Sequence, residues 1–248
     1  MTRLITLADA EAVAVRSARE IAQHLQRARE ERGTAHLVLS GGGTPERAYE
    51  LLAQALPEWE GVEVWFADER CVGPEHVESN YRMAHEKLLA HVPVPAERVH
   101  RMEGELGPER GAERYAEALA GVAADEQALP VLDVVVLGIG PDGHVASLFP
   151  DAATLQAGEE TVCLGVHDSP KPPPERITLS LAVLRAARRC LLLATSRSKA
   201  QAIAGALAEP TATVPASLLR RERLTVIVDD DASPPPPADR PDADCGNL

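Results

Sequence analysis

The segment GIGPDGHVASLFP, residues 138–150, gathers the residue types best suited to chemistry in this sequence. It continues an apolar run, LDVVVLGIG, so its glycines bring Asp142 and His144 into a loop at the end of a strand. An imidazole beside a carboxylate suits a general base. The carboxylate holds the ring in one tautomer, and the other nitrogen is left to accept a proton. Gly138, Gly140 and Gly143 also match the GxGxxG spacing of dinucleotide sites, but that reading needs a long following helix in a first βαβ unit. Here Pro150 limits the helix and the unit lies mid-chain, so no NAD site is expected and no other cofactor is implied. Further ligands at short spacing are lacking around Asp142 and His144, so no metal is expected.

A second candidate is SGGGTP, residues 40–45, between an apolar stretch and a helical one. One glycine would satisfy a tight turn. Three in a row (Gly41, Gly42, Gly43) between Ser40 and Thr44 suit a phosphate cradle, where backbone N–H groups and a helix N-terminus close around an anion. Thr44 is expected to cap a helix whose first position is Pro45. The missing GK[ST] excludes a Walker loop. A third candidate is ADER, residues 67–70, which places Asp68, Glu69 and Arg70 at the carboxyl end of a second strand. In open α/β sheets ligands sit outside those ends. Arg176, after SPKPPPE, and Lys199, after CLLLAT, add cations at strand ends, although each taken singly also fits a surface charge. There is no GxSxG elbow for a serine hydrolase.

Composition narrows the partners. The 248 residues carry a formal net charge of −13, so neither nucleic acid nor an anionic membrane is an expected partner. An anionic small substrate must be held by a local cluster of cations against that overall field. Two Trp, three Tyr and two Phe leave the core to aliphatic side chains. Cys71, Cys163, Cys190 and Cys245 form no CxxC pair, and a disulfide framework is not expected. Neither a signal peptide nor a membrane span is evident, so a cytoplasmic protein is expected.

These residues need a scaffold, and the hydrophobic pattern supplies one. Residues 9–32 predict an amphipathic helix, with Val13, Ser17, Ile21 and Leu25 on one face and Gly33 as its stop. HLVLS, VEVWFADE, LDVVVLGIG, TVCLGV, RITLS, CLLLAT and LTVIVD predict strands, and residues 80–89, 108–126, 181–187 and 197–208 predict helices. LDVVVLGIG has the continuous apolar character of a strand buried on both faces. The alternation points to an α/β fold: a Rossmann-like open, mostly parallel sheet with helices on both faces. A single domain over residues 1–232 is expected. Residues 233–248, SPPPPADRPDADCGNL, have too few apolar side chains to order and are expected to be a disordered tail.

In this order SGGGTP, WFADER, ESNY, GIGPDGHVASLFP, PKPPPERITLS and the Lys199 region resemble the 6-phosphogluconolactonases of the glucosamine-6-phosphate deaminase/6-phosphogluconolactonase family. The resemblance implies the Rossmann-like fold and hydrolysis of a sugar-phosphate lactone in the oxidative pentose phosphate pathway, by a monomer or weak homodimer. It also implies His144 as base with Asp142 beside it, phosphate on residues 40–44, and Asp68, Arg70, Asn80, Arg176 and Lys199 around the substrate. A δ-lactone is an activated ester, so a base for water, a group to receive the oxyanion and an anchor for the phosphate suffice. The chain departs from the family pattern before Lys199, where Thr195-Ser196-Arg197-Ser198 replaces an expected glycine. The competing readings are an amino-sugar phosphate deaminase or isomerase and a sugar-phosphate-sensing domain. Deaminase-type relatives carry DEY where this chain has Asp68-Glu69-Arg70, and a glutamate where it has Phe149. A sensor would normally be joined to a DNA-binding segment.

Overall fold

The computed structural model describes residues 2–124 and 128–234. The chain runs β1 (Arg3–Leu7), α1 (Ala10–Arg32), β2 (Ala35–Leu39), α2 (Gly43–Ala55), β3 (Val62–Phe66), β4 (Asp68–Arg70), α3 (Asn80–Lys87) and α4 (Pro108–Leu119). It continues through β5 (Val134–Gly138), β6 (Cys163–Val166), β7 (Arg176–Leu179), α5 (Leu181–Ala186), β8 (Arg189–Ala194), α6 (Ala200–Leu207) and β9 (Leu224–Asp229).

Local chemistry sets the boundaries of α1. Asp9 Oδ1 accepts from Ala12 N–H at 2.8 Å, and Gly33 closes the helix at φ 76°. Its buried face carries Val13, Ser17, Ile21 and Leu25, as the spacing predicts. That face lies against β2, β8 and β9, and α2 packs beside it over β5 and β8.

Six strands form a parallel sheet in the order β1-β9-β8-β5-β2-β3. β5 is interior, and Val134, Val135, Val136 and Leu137 are fully buried, as an apolar run with no alternation requires. The chain leaves β2 toward β3 and leaves β5 toward β8, in opposite directions. The crevice between the carboxyl ends of β2 and β5 is therefore the topological switch point, where α/β folds bind ligands. The outer edge of β3 is covered: Tyr115 of α4 accepts from Phe66 N–H at 2.7 Å and donates to its carbonyl at 3.1 Å.

Several features differ from the sequence expectations. β6 and β7 do not join the main sheet; they pair antiparallel with β4 in a second, three-stranded sheet. VEVWFADE therefore breaks at Ala67, and Asp68–Arg70 forms a separate short strand rather than the carboxyl end of the same one. Arg3–Leu7, assigned to no element above, pairs with β9 as an edge strand. Its exposed, weakly apolar pattern gave no buried-face signal. The helix expected over residues 108–126 closes at Leu119, and residues 125–127 lie outside the described residues. Of the tail, residues 235–248 also lie outside them, as does Cys245. No described helix is long and apolar enough to cross a membrane.

Candidate active site

The loops after β2 and β5 meet at the switch point. Ser40 Oγ accepts from Gly138 N–H at 3.3 Å, and Tyr49 of α2 clamps Ser40 by accepting from its N–H at 2.9 Å and donating to its carbonyl at 3.0 Å. Ser40 is thus buried with its polar atoms turned inward. Gly42 stands at φ 115° and forms the N-cap of α2 without a side-chain cap. The helix begins at Gly43, two residues before Pro45, and Thr44 is not its cap. The Thr44 hydroxyl instead bonds that of Thr195 at 2.9 Å, tying this loop to the one after β8. Exposed Gly42 and Gly43 front the first turn of a 13-residue helix, whose leading N–H groups have no intrahelical acceptor.

In the loop after β5, Gly140 and Gly143 fold the chain back so that Gly140 N–H donates to the His144 carbonyl at 2.9 Å. His144 Nδ1 then lies 2.5 Å from Asp142 Oδ1. A carboxylate only accepts, so Nδ1 carries the hydrogen and Nε2 is the basic nitrogen. The ring is 16% exposed and sits 4.8 Å from the Phe149 ring, centroid to centroid. Burial holds the His144 pKa below the ordinary histidine value, against the upward pull of Asp142. Burial pushes Asp142 up, but the charge and hydrogen bond of His144, with help from Lys171, take its pKa below the usual value.

Cations come from the second sheet and from the β8 loop. Arg70 and Arg176 are directly opposite each other in the β4–β7 register. Like charges in that position repel unless an anion is shared between them. Arg176 is 5% exposed, and its Nε and Nη2 donate to the carbonyls of Pro173 (3.1 Å) and Lys171 (3.0 Å). Its guanidinium carbon stands 5.8 Å from the Phe149 ring centroid, and burial lowers its pKa. Arg70 Nη1 donates to the Glu78 carbonyl, whereas its buried Nε has no hydrogen-bond partner among the described residues. Lys199 Nζ donates to the Ile139 carbonyl at 2.8 Å, beside the Asp142–His144 loop. Burial lowers its pKa, followed by repulsion from Lys171.

Asp68 and Asn80 are drawn in more tightly than the resemblance implies, at 5% and 2% exposure. Asp68 Oδ2 accepts from the Ser147 hydroxyl at 2.7 Å, and Asn80 Nδ2 donates to the Asp68 carbonyl at 2.9 Å and to its Oδ1 at 3.1 Å. Asn80 also presses on the glycine loop: a β-carbon on Gly41 would lie 2.2 Å from Asn80 Oδ1.

Two contributors escaped the sequence analysis as site residues. Glu69 is buried under α3 and accepts from the N–H groups of Arg70, Asn80 and Tyr81 and from the Ser79 hydroxyl, at 2.7–2.9 Å. Burial nevertheless raises its pKa. Its place beside Arg70 in DER was the available signal. Lys171 acts on Asp142, His144 and Lys199 alike, and its signal was its place in SPKPPP ahead of Arg176. Burial lifts the thiols of Cys71, Cys163 and Cys190 to about 12, so none is a nucleophile at neutral pH.

The geometry as a whole presents a histidine–carboxylate pair whose imidazole shares the Phe149 ring with Arg176, with Lys199 bonded to the same loop. A family model described as glucosamine-6-phosphate isomerases/6-phosphogluconolactonase matches residues 8–228. The 6-phosphogluconolactonase of Streptomyces coelicolor is 39% identical over 216 residues, which cover 83% of this chain and 82% of that protein. That of Homo sapiens is 46% identical over 135 residues, 54% of this chain and 52% of that one. The crystal structure of 6-phosphogluconolactonase from Leishmania guyanensis has a TM-score of 0.81 at 30% identity, covering 94% of this chain and 97% of that one. The chain belongs to the glucosamine-6-phosphate isomerase/6-phosphogluconolactonase family.

Proposed function

We propose that the chain is a 6-phosphogluconolactonase, hydrolysing 6-phospho-D-glucono-1,5-lactone to 6-phosphogluconate in the oxidative pentose phosphate pathway. The observation that carries the reading is the 2.5 Å contact of His144 Nδ1 with Asp142, with Arg176 on the same Phe149 ring as the imidazole, Arg70 opposite Arg176, and Lys199 bonded to the Ile139 carbonyl. His144 Nε2 takes a proton from water, which attacks the lactone carbonyl and pushes charge onto its oxygen. Cations at the mouth offset that charge. When the tetrahedral intermediate collapses, the bond to the ring oxygen breaks and the imidazolium returns its proton to that oxygen. Water and an ester become an acid and an alcohol, with the histidine regenerated.

The phosphate is assigned to Gly42, Gly43 and the α2 N-terminus together with the nearby cations. Asp68, Asn80 and Ser40 act as positioning residues that lock these loops together. Residues 1–232 are taken as the catalytic domain. The depressed His144 pKa suits the role, because the base is then neutral at the pH where it must accept a proton. A deaminase reading finds no carboxylate at position 149, where Phe149 packs against the histidine.

The test is the decay of the phosphorylated lactone with and without protein, since the lactone also hydrolyses spontaneously, beside ammonia release from glucosamine 6-phosphate. Accelerated lactone decay without ammonia is expected. Ammonia release with no acceleration of lactone decay would contradict the reading.

A further inference from the structure

Glu78 stands beside the opposed arginines without belonging to the catalytic group. Its main-chain carbonyl accepts from Arg70 Nη1, and its carboxylate lies 3.8 Å from the same nitrogen while half exposed. The Glu78 charge also acts on Arg176 across the strand pair. Arg70 Nη1 is therefore held by a backbone acceptor and has the Glu78 carboxylate beside it. Its buried Nε remains without an acceptor among the described residues. A pair of opposed guanidiniums with an unsatisfied N–H is an anion seat. A carboxylate beside that seat competes with whatever anion enters.

We propose that Glu78 is a built-in counter-charge that sets the anion affinity of the Arg70–Arg176 seat, keeping it low enough for the acidic product to leave. The inference rests on the lactonase reading for the identity of that product. Hydrolysis converts an uncharged lactone group into a carboxylate, so the product carries one more negative charge than the substrate. A seat built from cations alone would hold the product more firmly than the substrate. Glu78 supplies the repulsive element that selective sites use beside their attractive ones. Arg70 is anchored by the Glu78 main-chain carbonyl, so replacing the side chain removes the charge and leaves the anchor.

The test titrates wild type, Glu78→Gln and Glu78→Asp with inorganic phosphate and with 6-phosphogluconate by calorimetry, and measures KM and kcat for the lactone. Glu78→Gln is expected to tighten both anions by about 3- to 10-fold at low salt, with the gain shrinking as ionic strength rises. KM should fall with no rise in kcat, the pattern of a change in uniform binding. Glu78→Asp, which keeps the charge, should stay within about 2-fold of wild type. Unchanged or weaker anion binding in Glu78→Gln overturns the proposal, as does absence of binding to every variant. Lactone decay by the wild type decides the activity separately, because the anion titrations do not depend on turnover.

Discussion

A β-carbon on Gly140 would lie 2.0 Å from His144 Nδ1 and 2.3 Å from Asp142 Oδ1. The backbone at Gly140 therefore occupies the space against which the histidine–carboxylate pair is seated, and no side chain fits there without moving one of them. Gly140→Ala should displace the pair by about 1 Å or more, because these contacts must open to van der Waals distance. A misplacement of that order costs roughly 10²-fold in turnover. Steady-state kinetics beside a thermal melt checks this. Wild-type kcat in the alanine variant would show that the pair is not the reacting machinery.

Phe149 shields the imidazole, and burial is the main cause of the lowered His144 pKa. The acid limb of kcat/KM in the wild type should therefore fall below the ordinary histidine value of about 6.5. Phe149→Ala admits water to the ring and should move that limb upward, toward the ordinary value. Stability follows the same linkage: a histidine with a depressed folded pKa contributes stability present above its unfolded pKa and lost as pH falls through the folded one. An acid limb that stays in place in Phe149→Ala would assign it to another group.

Ser196 takes φ 79° and ψ 150°, a region that belongs almost entirely to glycine. It holds this conformation because Asp229 accepts from its N–H through both carboxylate oxygens, at 3.1 and 3.2 Å. Such backbone strain costs about 1–3 kcal/mol, and glycine's own entropy returns part of the gain. Ser196→Gly should raise the melting temperature by roughly 2–4 °C with little change in kcat. A lower melting temperature would mean that the Ser196 hydroxyl, bonded to that of Ser198 at 2.9 Å, contributes more than the backbone costs.

What the sequence made legible follows from the range of the interactions. The Asp142–His144 pair and its glycines lie within five residues, so local spacing revealed both the residues and their loop. The buried strand β5 and the capped helix α1 were equally local. The opposition of Arg70 and Arg176 depends on the register of two strands 106 positions apart, β4 and β7, in a sheet that the alternation of elements did not announce. Thr44 looked like a cap from its neighbours alone, but its hydroxyl is committed to Thr195, 151 residues away. Asp68 and Asn80 were named from the motif resemblance, yet their mutual hydrogen bonds, on which the positioning role proposed for them rests, required the tertiary fold.

The role proposed for His144, base for water attack on the lactone, is read without intermediary from the turnover of His144→Ala. The variant should melt close to wild type, because the ring lines a crevice rather than the main core. Its enzyme-catalysed lactone decay should fall by about 10²- to 10⁴-fold, the usual contribution of a general base. A folded His144→Ala protein that hydrolyses the phosphorylated lactone at near wild-type rate would exclude His144 as the base.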